Sequence, residues 1–348
     1  MENNNLKSIN IISSFKFAEI SNVIFSGVFL KSQLDELNLL DDISDHVGDH
    51  EYFFVRKKEF KLKENDIIFC KTEYVKELFY LLKRQCNFKN IKLITHQSDL
   101  STNSSLYRLK PKCISEWYSV NVDIVRNDLI PIPIGIANFH SKNLNSELFT
   151  EEVNISKYFL PKVNTLYLNF NPNTKFSERK GLFEYFKNQN WTEVDEEIIN
   201  HQDYKDKIAK HKFLLSPWGN GIDTHRLWEA LYSGTIPVTK KHDLYQSFTT
   251  LPILQVDDYF SLTEESLHFE FENFYKNRQS YNLSELDFEY WKSRILENVI
   301  DSDPRKEILI INNLSNFRKS LPDYKHSFKS KFKKLNRLRR YIYKKIKL

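Results

Sequence analysis

Residues able to do chemistry concentrate in one stretch, HKFLLSPWGNGIDTHRLWEALYSGTIPVTKK, residues 211–241. An apolar run ends at Pro217, Gly219-Asn220-Gly221 make a tight turn, and a helical pattern begins beside the candidate caps Asp223 and Thr224. Unpaired N–H groups and the helix dipole at such a start favour an anion. Gly219, Asn220, Gly221 and Thr224 are therefore candidate phosphate-binding positions. Arg226, in the first turn, can give bidentate hydrogen bonds to phosphate oxygens. Glu229, three residues on, shares its face and can accept hydrogen bonds from a ribose diol. A plain surface pair of Arg226 and Glu229 fits the same spacing, and both readings stay open. The chain has only seven glycines, and Gly219, Gly221 and Gly234 fall close together here. Glycine so scarce is expected where the backbone needs positive φ or a close approach.

Other candidates lie outside this stretch. Arg179 and Lys180, in NFNPNTKFSERKG (169–181), follow an expected strand and can supply further charge to a diphosphate, or form a solvated basic pair. In THQSDLS (95–101), His96 and Asp99 are candidates for a general base. A sugar hydroxyl becomes a competent nucleophile only as its proton is taken, which calls for an imidazole or carboxylate. His96 also fits a satisfied core histidine, and Asp99 a helix cap. His140 has a weaker claim to the same role, and Asn121 suits either acceptor contact or a turn. No spacing of ligands indicates a metal, because the adjacent Asp257 and Asp258 would diverge on a strand.

The 211–241 stretch resembles the most recognisable segment of the exostosin-like glycosyltransferases (glycosyltransferase family 47 and its bacterial and viral relatives). Those carry a strand, Pro-x-Gly-x-Gly, a Thr/Ser-x-Arg-x-x-Glu-Ala helix, then Gly-x-Ile-Pro-Val. The matching positions are Ser216, Pro217, Gly219, Gly221, Asp223, Arg226, Glu229, Ala230, Gly234, Ile236, Pro237 and Val238. LPILQVDDYFSLT (251–263) is similar to that family's next strand and loop. The resemblance implies a GT-B architecture, two Rossmann-like doubly wound domains facing a cleft, with the C-terminal one binding a nucleotide-sugar. By the same resemblance Arg226 holds the diphosphate, Glu229 holds the ribose, and transfer is inverting and metal-independent with no cofactor. The α1,3-fucosyltransferases share a similar strand, Glu-bearing helix and Pro-Val layout, which leaves a GDP-sugar donor as an alternative.

The elements expected to position these groups alternate along the chain. YFFV (52–55), DIIFC (66–70) and IKLIT (91–95) read as strands, and Val75, Leu78, Phe79 and Leu82 lie at helical spacing between the last two. That is a βαβ unit and hence a parallel sheet. LIPIPIGIA (129–137) reads as an extended edge. After a polar linker at 138–163, strands are expected at 164–170, 212–216, 235–239 and 251–256. Helices are expected at 177–189, 224–234, 262–275 and 285–300. This predicts α/β domains at 1–150 (acceptor side) and 151–320 (nucleotide-sugar side), followed by a tail at 321–348.

Composition bounds the remaining possibilities. With 41% hydrophobic and 28% charged residues the chain is globular rather than disordered. It lacks both a membrane-spanning apolar run and a signal-like N-terminus. Cys70, Cys86 and Cys113 are widely spaced and read as free thiols, which suits a cytoplasmic location. The net charge of +5 is uneven: residues 325–348 hold eleven of the 51 Lys and Arg and no acidic residue. The remainder, 40 basic against 46 acidic, is net −6. In the tail, Phe328, Phe332, Leu335, Leu338, Ile342 and Ile346 fall within an arc of about 120° on a helix. A basic amphipathic helix of this kind suits an anionic membrane surface at the inner face of a membrane, or docking on the protein's own acidic body. Nucleic acid is not expected, because no basic and aromatic platform recurs in the body. The leading expectation is a glycosyltransferase acting on a glycan or lipid-linked glycan acceptor. The competing expectation is a non-catalytic membrane- or polyanion-binding protein that uses the tail.

Overall fold

A computed structural model describes residues 9–47, 52–137, 149, 153–162, 164–197, 199–297 and 307–312. His140 and the basic tail fall outside the described residues. The described residues up to Ile311 form one compact unit that holds two large sheets and a two-stranded one.

The first sheet is mixed. After the short helix α1 (Ser14–Glu19) come β1 (Val23–Leu30), α2 (Lys31–Glu36), β2 (Ile43–Val47) and β3 (Tyr52–Arg56). β4 (Glu59–Leu62) stands outside both large sheets. β5 (Ile67–Lys71), α3 (Val75–Gln85) and β6 (Ile91–His96) are the expected βαβ unit, with β5 and β6 parallel. α4 (Ser104–Tyr107), β7 (Ile114–Ser119) and β8 (Leu129–Pro131) complete this half. The order is β2-β3-β1-β5-β6-β7-β8, with β2 and β3 antiparallel to their neighbours. The parallel strands β5 and β6 are buried at nearly every position, including the polar Lys92, Thr95 and His96 of β6.

The second sheet is wholly parallel: β9 (Asn164–Leu168), β10 (Thr192–Val194), β11 (His211–Leu215), β12 (Ile236–Lys240) and β13 (Leu254–Val256). The helix expected over 177–189 is two pieces, α5 (Phe176–Arg179) and α6 (Leu182–Phe186), because Gly181 between them takes φ +78°. α7 (His201–Lys210) precedes β11, and α8 (His225–Tyr232) follows it. The order β10-β9-β11-β12-β13 is the 2-1-3-4-5 order of a doubly wound sheet. In such a sheet the connections leave in opposite directions from the first and third strands, here β9 and β11. In doubly wound sheets ligands bind at the carboxyl ends of such a strand pair.

The chain then turns back. α9 (Glu264–Lys276) packs near β9, but α10 (Phe288–Leu296) joins the first half. Phe288 N–H donates to Asn10 O at 2.8 Å, and its ring meets Phe17 edge-on. The Lys92 ammonium, on β6, donates to Ile295 O and Glu297 O at the end of α10. The apolar stripe Phe288, Trp291, Ile295 is buried there. A helical period shows that such a stripe exists but not which sheet it covers.

Candidate functional site

The 211–241 stretch contains the expected strand, turn and helix, and its turn follows the carboxyl end of β11, the neighbour of β9. Helix α8 buries Leu227, Trp228, Ala230 and Leu231, which fixes its rotation and leaves Arg226 half-buried toward the end of β9. Arg226 Nε donates to Asn169 O at 2.7 Å. Arg179, almost wholly buried, reaches the same place from α5. Its Nε donates to Trp218 O (2.9 Å), Nη1 to Asn171 O (3.0 Å) and Nη2 to Pro217 O (3.1 Å). Arg179 thus ties the loop after β9 to the loop after β11. Both guanidinium groups lie against one ring, Phe170, at 5.3 Å and 5.8 Å.

Two cations share this small volume. Burial, with the Arg226 charge as the next cause, pushes the Arg179 guanidinium down to about 10. Among the described residues no carboxylate is ion-paired to either guanidinium. Buried positive charge left in this state suits an anionic ligand. Helix α8 adds to the field. Thr224 is its N-cap residue by position, yet its hydroxyl pairs with Ser216 Oγ at 2.9 Å and no side chain caps the first turn. The first-turn N–H groups of α8 therefore carry no side-chain cap, although the buried Asp223 carboxyl lies directly before the helix.

Glu229 is not a surface partner of Arg226. It is 6% exposed, and its Oε2 accepts from Tyr204 OH at 3.0 Å. Burial raises its carboxyl above the usual range, opposed first by the Arg226 charge. Lys180 is exposed, with its ammonium 5.7 Å over the Phe176 ring, and makes no recorded contact with Arg179. Lys175, which the sequence pattern did not single out, leans over the Trp218 ring at 4.9 Å. Glu178, also missed, is nine-tenths buried. Its Oε2 lies 3.6 Å from Lys240 Nζ, and its Oε1 has no hydrogen-bond partner among the described residues. The run of Lys175, Glu178, Arg179 and Lys180 was legible only as a charged cluster. Which of its members turn inward depends on where α5 ends.

The two expected bases separate. His96 is 1% exposed, and burial pushes its imidazole down to about 3. Gln97 N–H donates to its Nδ1 at 2.7 Å, so the ring proton sits on Nε2 and points to Pro133 O at 3.3 Å. Both nitrogens are engaged and no acceptor hydroxyl can reach either, which corrects the expectation of a base at His96. Asp99 is exposed, and its Oδ2 accepts from Asn220 Nδ2 at 3.2 Å, across from the glycine turn.

Asn121 takes the turn-like backbone rather than the place of an exposed acceptor contact. It is fully buried at φ +53° and joins the two halves. Its Nδ2 donates to Ser98 O at 2.9 Å, and Asp223 N–H donates to its Oδ1 at 2.9 Å. A Cβ on Gly221 would lie 2.7 Å from that Oδ1, so glycine is required there for close approach rather than for its φ. Asp223 extends the junction: it accepts from Ile134 N–H (2.8 Å) and Trp228 Nε1 (2.9 Å). His225 Nδ1 donates to Gly135 O at 2.7 Å, and His242 Nε2 lies 3.1 Å from Asp123 Oδ1.

A scan against models of known protein families finds none that matches this chain, and a search of curated proteins returns no match.

Proposed function

We propose that this chain is a glycosyltransferase of GT-B architecture, similar to the exostosin-like enzymes. It would move a sugar from a nucleoside diphosphate donor to a hydroxyl of a glycan acceptor. The observation that carries the reading is the convergence of Arg179 and Arg226 on the Phe170 ring, beside the uncapped start of α8. A crevice at the carboxyl ends of parallel strands where the winding reverses is where α/β sheets bind ligands. The ligand suited to two guanidinium groups and a helix N-terminus is a diphosphate. Glycosyl transfer needs stabilisation of that group as it leaves, because negative charge grows on it as the bond to the anomeric carbon breaks.

In this reading Arg226 contacts the diphosphate, while Arg179 shapes the loops around it and adds field. Asp99, the remaining base candidate, takes the proton of the acceptor hydroxyl as its oxygen attacks the anomeric carbon. Glu229, or the unpartnered Oε1 of Glu178, would accept hydrogen bonds from hydroxyls of the donor. The net +11 of residues 325–348 supports a lipid-linked acceptor held at an anionic membrane surface.

The test is thermal stabilisation by UDP-, GDP-, CMP- and dTDP-sugars, followed by donor turnover. A ligand at about 100 times its Kd stabilises by roughly 2.7 kcal/mol. At least one donor should stabilise the full chain, and Arg226→Ala should abolish that stabilisation. If no nucleotide-sugar stabilises the protein, or if Arg226→Ala leaves binding and turnover intact, the reading fails.

A further inference from the structure

Cys86 and Cys113 are 27 positions apart in the chain, yet the fold brings them to the same end of the first sheet, close enough that each thiol shifts the other. The sheet brings them together. Cys86 closes α3, its N–H donating to Leu82 O at 2.9 Å. Cys113 immediately precedes β7, and its carbonyl accepts from Ile91 N–H at 2.9 Å, at the start of β6. Ile91 and Ile114 are register partners, so the parallel pairing of β6 and β7 sets both cysteines at the amino-terminal ends of those strands. That is the opposite end of β6 from Asp99.

The two thiols are not equivalent. Cys86 is half-exposed, and Cys113 is buried. The interaction with Cys113 lowers the Cys86 thiol below its ordinary range against the effect of burial, and raises the Cys113 thiol. Cys86 is therefore the sulfur that ionises first and the one a reagent can reach, with Cys113 behind it as the resolving group. Cys70 differs: it is wholly buried beside Ser26, and burial raises its thiol well above the ordinary range.

We propose that Cys86 and Cys113 form a thiol modification site that closes to an intramolecular disulfide by exchange with a low-molecular-weight disulfide such as oxidised glutathione. The Cys86 thiolate attacks one sulfur of the reagent, forming a mixed disulfide and expelling one glutathione thiolate. Cys113 then loses its proton to solvent and attacks the Cys86 sulfur, expelling the second. The reagent is reduced to two thiols, and the protein loses two hydrogens. The closed loop, residues 86–113, contains all of β6 and the segment that carries Ser98 and Asp99. The covalent tie thus spans the part of the first sheet that meets the glycine turn. This site is independent of the glycosyltransferase reading.

The full chain is incubated under native conditions with oxidised glutathione, and then analysed by intact mass and peptide mapping. The expected product has lost two hydrogens, carries a peptide linking Cys86 to Cys113 and reverts with a reducing thiol. Cys113→Ser should instead accumulate one glutathione adduct on Cys86. Cys86→Ser should take up none, and Cys70→Ser should behave as the parent. A stable adduct on Cys86 of the parent chain, a disulfide between two chains, or no reaction at either residue would each overturn the proposal.

Discussion

Substituting Gly221 by alanine tests the junction between the two halves. The new methyl would lie 2.7 Å from Asn121 Oδ1 and 2.8 Å from Nδ2, far inside van der Waals contact. Asn121 cannot simply swing aside. It is buried and held at both ends, by Ser98 O and by Asp223 N–H, each at 2.9 Å. The amide must therefore leave, which strands the buried Asp223 N–H and Ser98 carbonyl. A buried polar group without a partner costs about 1–3 kcal/mol, so Gly221→Ala should lose about 2–4 kcal/mol of stability. Urea unfolding of four proteins measures this: parent, Gly221→Ala, Asn121→Gly and the double variant. Glycine at 121 tolerates the positive φ while removing the amide. In that background the methyl has room, and its cost should fall below about 1 kcal/mol, a coupling that a double-mutant cycle resolves. Equal cost in both backgrounds would refute the argument that the Asn121 amide is what excludes a side chain at 221.

Two further outcomes follow from buried titratable groups. Burial raises the Asp223 carboxyl to about 7, against an ordinary 3.8, so the folded protein holds this proton more tightly than the unfolded chain. Its contribution to stability is complete below about pH 4 and is lost as pH rises toward 7, at no more than about 1.4 kcal/mol per pH unit. The difference in urea midpoint between parent and Asp223→Asn should therefore shrink as pH rises through that window, and a constant difference would contradict it. The His96 imidazole, held down to about 3, should show ring-proton shifts that stay flat from pH 8 to pH 5. A midpoint near 6 by NMR would mean the ring is solvated and available as a base.

Much of the fold was legible as local pattern. The βαβ unit of β5, α3 and β6, the strands from β9 to β13 except β10, and α8 to α10 all lie where apolar spacing and turn residues put them. The strand β1 was missed because Ser26 and Gly27 interrupt its apolar run, although both are tolerated inside a covered sheet. The start of the site was legible too, since Gly219, Gly221, Arg226 and Glu229 cluster in one strand–turn–helix. The roles of His96 and Asp99 were not separable, because residues three positions apart at a strand end can point one side chain into a core and the other to solvent.

By itself the sequence determined which segments have two faces, where a scarce glycine turn meets a helix start, and how charge divides between an acidic body and a basic tail. Those properties are local, set by periods of two and 3.6 residues and by single-residue backbone preferences. Only the tertiary structure decided that β9 and β11 are neighbours, so that Arg179 and Arg226 share one ring. It also decided that Asn121 fills the space a side chain at 221 would need, and that Cys86 faces Cys113. These are contacts between residues 27 to about 100 positions apart, and they depend on strand order and on which helix covers which face. Periodicity fixes that a face is buried but carries no information on what buries it.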